Sequence, residues 1–205
     1  MHIEDSIVVV GAGGHAKVVV EAILACGPLA VSVVDDSPDA VRQSLLGIAV
    51  GSPAVPPRGV GAFHVAIGGN SDRARKSAEF ESAGLRPMTV VHPLAAVSPS
   101  ADVQPGAFVA AHAVLAAQCA VGAGAIVNHG AVVDHDCSVG DFAHVAPNAT
   151  LCGGVRIGRL ALIGSGAVVL PGICVGAGAV VGAGAVVRHD ILDGRCVVGV
   201  PAREI

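Results

Sequence analysis

From Val91 to Ile191 an apolar residue recurs every six positions, and a small residue, usually Ala, follows four places after it. The apolar series runs Val91, Val97, Val103, Val109, Leu115, Val121 and on to Val187. The followers run Ala95, Ala101, Ala107, Ala113, Cys119, Ala125 and on to Ile191. Seventeen hexads keep this register without a slip. A period of six fits neither a helix nor a flat strand; it fits a chain that runs straight, turns and repeats. Three such sides close a triangular coil of eighteen residues. The branched residue fills the interior, and its follower is small because three of them crowd one cross-section. Gly at the second hexad position (Gly122, Gly140, Gly158, Gly164, Gly176, Gly182) is read as the conformational freedom of a corner. At a strand spacing of about 4.8 Å, nearly six coils make a prism roughly 27 Å long.

A prism this narrow needs thin aliphatic filling. The chain is 53% hydrophobic but 2% aromatic, with neither Trp nor Tyr. The formal charge of −4 and the lack of a basic run give no case for nucleic acid. No apolar run has the length of a membrane span and the N-terminus lacks a signal-peptide layout, so a cytoplasmic protein is expected. Six cysteines show no CxxC spacing. Cys119 and Cys137, eighteen apart, should stack inward; a disulfide fits there geometrically, and in a reducing compartment two thiols are favoured.

Ahead of the repeats, strand and helix alternate, which argues a small parallel α/β domain over residues 1–90 preceding a β-helix over 91–205. Ile7 to Val10 reads as a buried strand. A helix follows with Val18, Val19, Ala22, Ile23 and Cys26 inward, stopping at Gly27-Pro28. Val31 to Val34 and Phe63 to Ile67 are further strands, Leu46 to Val50 an extended piece and Pro53 to Pro57 a loop. Ser71 reads as the N-cap of a helix that carries Asp72, Arg73, Arg75, Lys76, Glu79 and Glu81 and ends near Gly84.

The first strand ends in Gly11-Ala12-Gly13-Gly14-His15-Ala16-Lys17, which satisfies G-x-G-x-x-A, and Asp35-Asp36 closes the next strand. On its face this is a dinucleotide fingerprint. The domain is too short for two βαβαβ halves, so a mononucleotide-sized ligand is the better reading. The glycine loop and helix N-terminus would hold phosphate, with Lys17 adding charge and a strand-end carboxylate taking hydrogen bonds from base or ribose. A structural tight turn without ligand is the competing reading.

Past the first hexad, five of the nine histidines lie in the interior of the repeat region: His112, His129, His135, His144 and His189. A coil of Val, Ala and Gly has no structural use for Asp134-His135-Asp136, and neither acid nor imidazole belongs unpartnered inside it. The third hexad position, shared by His129 and His135, should point outward. Surface decoration suits His112 and His189. Metal ligation by His129, His135 and His144 lacks any known ligand signature. General-base catalysis by His135 is the favoured reading, with a carboxylate fixing its tautomer. Cys137 falls at an inward position and is not read as a nucleophile.

These residues resemble the bacterial sugar-nucleotide N-acetyltransferases of the bacillosamine and perosamine type and the related sialic acid O-acetyltransferases, both hexapeptide-repeat acyltransferases. The resemblance rests on Gly11 to His15, Asp35-Asp36, Ile67-Gly68-Gly69-Asn70, Ile126-Val127-Asn128, Asp134 to Cys137, Phe142 to Val145 and Gly199-Val200-Pro201-Ala202. It implies a left-handed parallel β-helix, a homotrimer, and acetyl-coenzyme A as co-substrate between neighbouring prisms, with no metal. It implies that the small domain holds a nucleotide-linked amino sugar through Gly13, Gly14, His15, Lys17, Asp35, Asp36, Gly68 and Asn70. His135 matches the general base and Asp136 its acid, with Asn128 and His144 as further active-site positions. His144, the Gly153 amide and Gly199, Val200, Pro201 and Ala202 match the coenzyme side. Asp134 flanks His135 on the other side, so either acid could support it, and His129 departs from the small residue usual after Asn128. The expected reaction is acetyl transfer to an amine, a 4-amino-4,6-dideoxy sugar being favoured. O-Acetylation of a sugar hydroxyl is the alternative, and a non-catalytic nucleotide-sugar scaffold and a metal hydratase are readings from other classes.

Overall fold

The computed structural model describes residues 6–52 and 60–205; the expected loop at Pro53 to Pro57 lies outside them. The N-terminal sheet contains β1 (Ser6–Val10), β2 (Ala30–Val34), β3 (Ser44–Leu45), β4 (Ile48–Gly51), β5 (Ala62–Val65) and β6 (Arg86–Pro87), in the order β3-β4-β2-β1-β5-β6. All pairings are parallel except the β3–β4 hairpin. Every residue of the central strand β1 is buried. Alternation sends Ile7 and Val9 to the side of helix α1 (Gly14–Cys26), and Val8 and Val10 to the side of Phe63 and Phe80, the latter on helix α2 (Asn70–Ser82).

Three details differ from the sequence reading. Leu46 and Gly47 form the turn of the β3–β4 hairpin rather than strand. Cys26 is exposed, its thiol donating to the Val91 carbonyl at 3.3 Å, while Ala16 and Val20 join the inward stripe. α2 begins two residues earlier than a Ser71 cap requires: Gly69 is its N-cap, with no side-chain bond. Asn70, the first helical residue, turns its side chain to the repeats instead.

The repeats form a three-sided parallel β-helix. Strands on each face pair with the residue eighteen positions on: Phe108 with Ile126 and then His144 on the first face, Val114 with Val132 and Thr150 on the second, Ala120 with Ser138 and Arg156 on the third. The hexad residues and their followers make one continuous core from Ala107 to Val197. Its N-terminal end is looser, with Val97 37% exposed. Cys119 and Cys137 lie in this core as free thiols.

The second-position glycines have a different cause from the one read in sequence. The left-handed backbone sits two places later, at the fourth position: Gly124 has φ +60° and Gly178 +64°, but Gln118, Asp136 and Asn148 adopt it too. At the second position the missing Cβ is what matters. A Cβ on Gly122 would lie 2.7 Å from the Asp141 nitrogen, and one on Gly140 would lie 2.6 Å from the Arg159 nitrogen, in the coils stacked next to them. Sequence shows residue type, and freedom and close approach both select glycine.

The two domains share a core. Phe108, Ala110 and Ile126 of the first face pack with Ala16, Val19 and Ile23 of α1. Arg73 of α2, 1% exposed, runs into the seam and donates six hydrogen bonds: to the carbonyls of Gly124, Ile67, Gly68, Phe142 and Ala143 and to Asn70 Oδ1. The Asn70 amide in turn donates to Leu160 and Ala161. A guanidinium has five N–H donors in a fixed fork; here the fork bolts α2 to two successive coil corners, and Asn70 reaches the third. None of its partners is a carboxylate. Burial lowers its pKa to about 10, so the charge persists at neutral pH.

Candidate active site

His135 and Asp136 occupy the corner between the second and third faces. His135 points outward, as its hexad position requires, and its side chain is 60% exposed. Its Nδ1–H donates to Asp136 Oδ2 at 2.7 Å, while Asp134 Oδ1 accepts the His135 backbone N–H at 2.7 Å. The two acids thus divide the work: Asp136 holds the ring and Asp134 holds the corner. Asp136 reaches back because it adopts the left-handed conformation, φ +59°, which Asp tolerates better than most residues. Nε2 has no partner among the described residues and is the available basic nitrogen. The Asp136 hydrogen bond, and after it the charge of Asp134, raise the imidazole pKa above its ordinary value.

In the next coil Gly153 lies against this ring, and its N–H donates to no protein group among the described residues. The Cys137 thiol, one residue past the dyad, is buried and donates to the Cys152 carbonyl. Burial pushes its pKa up, which is the opposite of nucleophilic activation.

A second cluster sits at the seam of the two domains. His144, on the first face, has its Nε2 3.1 Å from the Asn128 amide nitrogen. Asn128 Oδ1 accepts the His129 backbone N–H. Burial first, then the Arg73 charge, lowers the His144 pKa to about 4. His64 bonds the Met88 carbonyl through Nδ1 at 2.8 Å, and burial lowers its pKa to about 4. His15 packs edge-on against Phe108, ring centroids 5.3 Å apart. Burial, then the neighbouring His64, His144, Arg73 and His129, lowers its pKa to about 3. Its Nε2 is buried without a hydrogen-bond partner. Sequence reading missed His64, which looks like one more strand residue, and Arg73, which looks like one more surface charge.

The glycine loop lies at the mouth of this seam. No side chain caps α1 and no acid stands in its first turn, so its first N–H groups remain available donors. A Cβ on Gly13 or Gly14 would meet nothing within 4 Å, and Lys17 is exposed. Asp35 supports the loop from beneath, accepting from the Ala12 and Ser37 amides at 2.7 and 2.8 Å. Asp36 pairs with Lys76 at 2.6 Å. The Asn70 side chain is engaged at the domain seam, by Leu160, Ala161 and Arg73, rather than at the loop. At the far end Gly199 to Ala202 turns beside Val186, the last strand of the second face, through bonds of 3.1 and 2.8 Å.

The two clusters do not meet within one chain. Asn128 and His144 belong to the first face, whereas His135 follows the second face and stands at another corner of the prism. His129, His135 and His144 therefore do not converge, and no group of three potential metal ligands occurs among the described residues.

Residues 6–80 match the family described as PglD N-terminal domain, and residues 136–170 match bacterial transferase hexapeptide (six repeats). No curated protein matches the chain by sequence. Among solved structures, a histidine-to-alanine variant of GDP-perosamine N-acetyltransferase from Caulobacter crescentus, in complex with CoA and GDP-perosamine, is 39% identical. The match covers 98% of this chain and 96% of that one, with a TM-score of 0.93. The acetyltransferase domain of PglB from Neisseria gonorrhoeae, in complex with acetyl coenzyme A, is 38% identical over 98% and 99% of the two chains, TM-score 0.92. WeeI from Acinetobacter baumannii is 28% identical over 97% and 99%, TM-score 0.91. The chain belongs to the bacterial hexapeptide-repeat sugar-nucleotide N-acetyltransferases. Superposition of this quality over the whole length requires the same hand of coil, so the β-helix is left-handed.

Proposed function

We propose that this chain transfers the acetyl group of acetyl-coenzyme A to the amine of a nucleotide-linked amino-deoxysugar, a 4-amino-4,6-dideoxy sugar carried on GDP or UDP. The observation that carries the reading is the His135–Asp136 pair, an exposed imidazole with Nδ1 held by a carboxylate and Nε2 free. The amine attacks the thioester carbonyl while Nε2 takes its proton, Asp136 stabilises the imidazolium, and the coenzyme leaves as its thiol. The unengaged Gly153 N–H is the donor for the developing oxyanion, a contribution worth roughly 3–4 kcal/mol. No covalent intermediate on the enzyme is needed. His144 is not a second base, because its Nε2 faces the Asn128 amide and burial with the Arg73 charge holds its proton affinity down. With Asn128 it forms part of the wall against which the acceptor sits.

The α1 N-terminus with Gly13, Gly14 and Lys17 binds the diphosphate, and the unpartnered His15 Nε2 takes a hydrogen bond from the sugar. A buried polar atom without a partner is uncommon enough to ask for one. The seam and the His135 corner become one site across a subunit boundary, which supports a homotrimer. The second face is the surface for it: Val114, Val132, Val168 and Leu170 project from it and are only half-buried in one chain. The coenzyme lies along that boundary towards Gly199 to Ala202. No helix among the described residues is long and apolar enough to cross a membrane, and both substrates belong to the cytoplasm.

The test is a panel of GDP- and UDP-linked 4-amino sugars with acetyl-coenzyme A, following thiol release. Turnover giving a product stable to mild alkali supports an amide. An alkali-labile product, or turnover only with a sugar lacking an amine, overturns the reading. Light scattering should give three times the 20.0 kDa of one chain.

A further inference from the structure

Among the described residues, Gly153 is the one glycine whose added Cβ would strike a side chain of the dyad. It would lie 2.5 Å from both Cε1 and Nε2 of His135, and 3.3 Å from Cδ2. Its φ lies outside the left-handed region, unlike that of its neighbour Gly154 at +71°, so backbone conformation does not explain the glycine. Nor does the stacking that fixes Gly122 and Gly140, since the nearest atoms belong to an imidazole rather than to backbone. The corner itself is held independently: the Gly154 N–H donates to the His135 carbonyl at 2.9 Å, and the Asp136 N–H donates to the Ala117 carbonyl at 3.1 Å.

We propose that Gly153 is a positioning residue: its bare Cα is the seat on which the His135 ring lies, and the absence of a side chain there allows Nδ1 to reach Asp136 while Nε2 stays open. The inference rests on His135 being the base. An imidazole is the movable end of its side chain, so a methyl group at position 153 displaces the ring and leaves the fold intact. Asp134 and Asp136 are the charged groups facing the ring. The corners stacked on either side bring Ala117 and Gln118, and Gly153 and Gly154, none of which titrates. A ring moved off its seat loses the Asp136 hydrogen bond, and its affinity for a proton falls.

Gly153→Ala is the test. Misplacing a catalytic group by about 1 Å costs on the order of 100-fold. The expected result is kcat down about that much with KM for both substrates within about three-fold and an unchanged melting temperature. The His135 imidazole, followed by NMR on histidine-labelled protein with His135→Ala for assignment, should titrate at lower pH than in wild type, towards its value in Asp136→Asn. Ala keeps the backbone N–H, so in a His135→Ala background Gly153→Ala should lower activity far less than it does in the wild type. A wild-type imidazole titration in Gly153→Ala, or an undiminished further loss in the His135→Ala background, overturns the proposal; the latter would assign Gly153's effect to its amide or to substrate contact. Should Gly153→Ala fail to fold, adding His135→Ala removes the colliding ring and should restore the wild-type melting temperature; failure to restore it also overturns the seat. The titration needs no substrate, so it reads the seat even if the acceptor chemistry proposed above is wrong. Absence of acetyl transfer by the wild type would sink that chemistry alone.

Discussion

The corner at His135 and the seam at His144 contain the same side chain and treat it in opposite ways. At the corner the Asp136 hydrogen bond, and after it the charge of Asp134, raise the imidazole's hold on its proton, with little burial to oppose them. At the seam, burial and an unpaired guanidinium lower it for three imidazoles together, to about 3 for His15 and about 4 for His64 and His144. Desolvation and neighbouring charge are separable causes, and this fold assigns them to different places. On the proposed reading the corner exchanges a proton, while the seam stays neutral and keeps its shape beside the acceptor.

The largest effect should come from removing the corner's imidazole. His135→Ala should lower kcat by about 10²–10⁴-fold, the usual worth of a positioned general base, with melting temperature unchanged because the ring is mostly exposed. His144→Ala should lower it less and change KM more. Equal kcat losses with unchanged KM in both variants would break the contrast. Asp136→Asn sharpens it: the pH at which activity falls on the acid side should move down, because the bond that raises the His135 pKa is lost.

Next in size is the bolt of the seam. Arg73→Met leaves several buried carbonyls without a donor, at about 1–3 kcal/mol each where water cannot enter. A loss of about 4 kcal/mol in chemical denaturation is expected. A loss below about 1 kcal/mol would mean that the seam is wet and its charge dispensable.

How much of this was legible beforehand follows from what a sequence records. The period of six survives in the letters because every coil repeats the same packing problem, so the prism and its core were readable to the residue. Arg73 was not, because a charge in a polar helix looks the same whether it faces water or five carbonyls. Asp35 was read as a ligand group, but it accepts two backbone N–H bonds of the loop, an interaction that depends on loop shape. The separation of His135 from Asn128 and His144 was present in the numbering. With eighteen residues to a coil, 128 and 144 fall two residues from vertical alignment, whereas 135 lies seven residues after 128 and nine before 144, the latter half a turn. Nearness in hexads hid distance around the prism.

Acid stability tests the seam through protons. His64 has a folded pKa of about 4 against about 6.5 unfolded. It therefore contributes stability that is fully present above pH 6.5 and is lost as pH falls towards 4, since the unfolded chain takes up a proton that the folded one refuses. At about 1.4 kcal/mol per pH unit, His64 alone accounts for a loss on the order of 3 kcal/mol across that window. His64→Asn retains a donor for the Met88 carbonyl and should flatten the pH dependence of unfolding between pH 6.5 and 4. An unchanged slope would show that His64 titrates normally in the folded protein.

The smallest effect on stability falls at the seam's mouth, and it separates a ligand cradle from a mere turn. Gly14 opens α1 with no neighbour within 4 Å of a Cβ. Ala there removes chain freedom from the unfolded state and should stabilise by about 0.4–1 kcal/mol. If the loop only connects strand to helix, nothing else changes. If the diphosphate lies against the first amides of α1, the new methyl group stands where the phosphate oxygens approach. KM for the nucleotide sugar then rises at least several-fold while KM for acetyl-coenzyme A stays put, because the proposed coenzyme site lies at the prism boundary, away from the loop. Steady-state kinetics on Gly14→Ala with both substrates varied decides between these outcomes. A stabilised enzyme with both KM values unchanged would return the glycine loop to a purely structural role and move the nucleotide elsewhere.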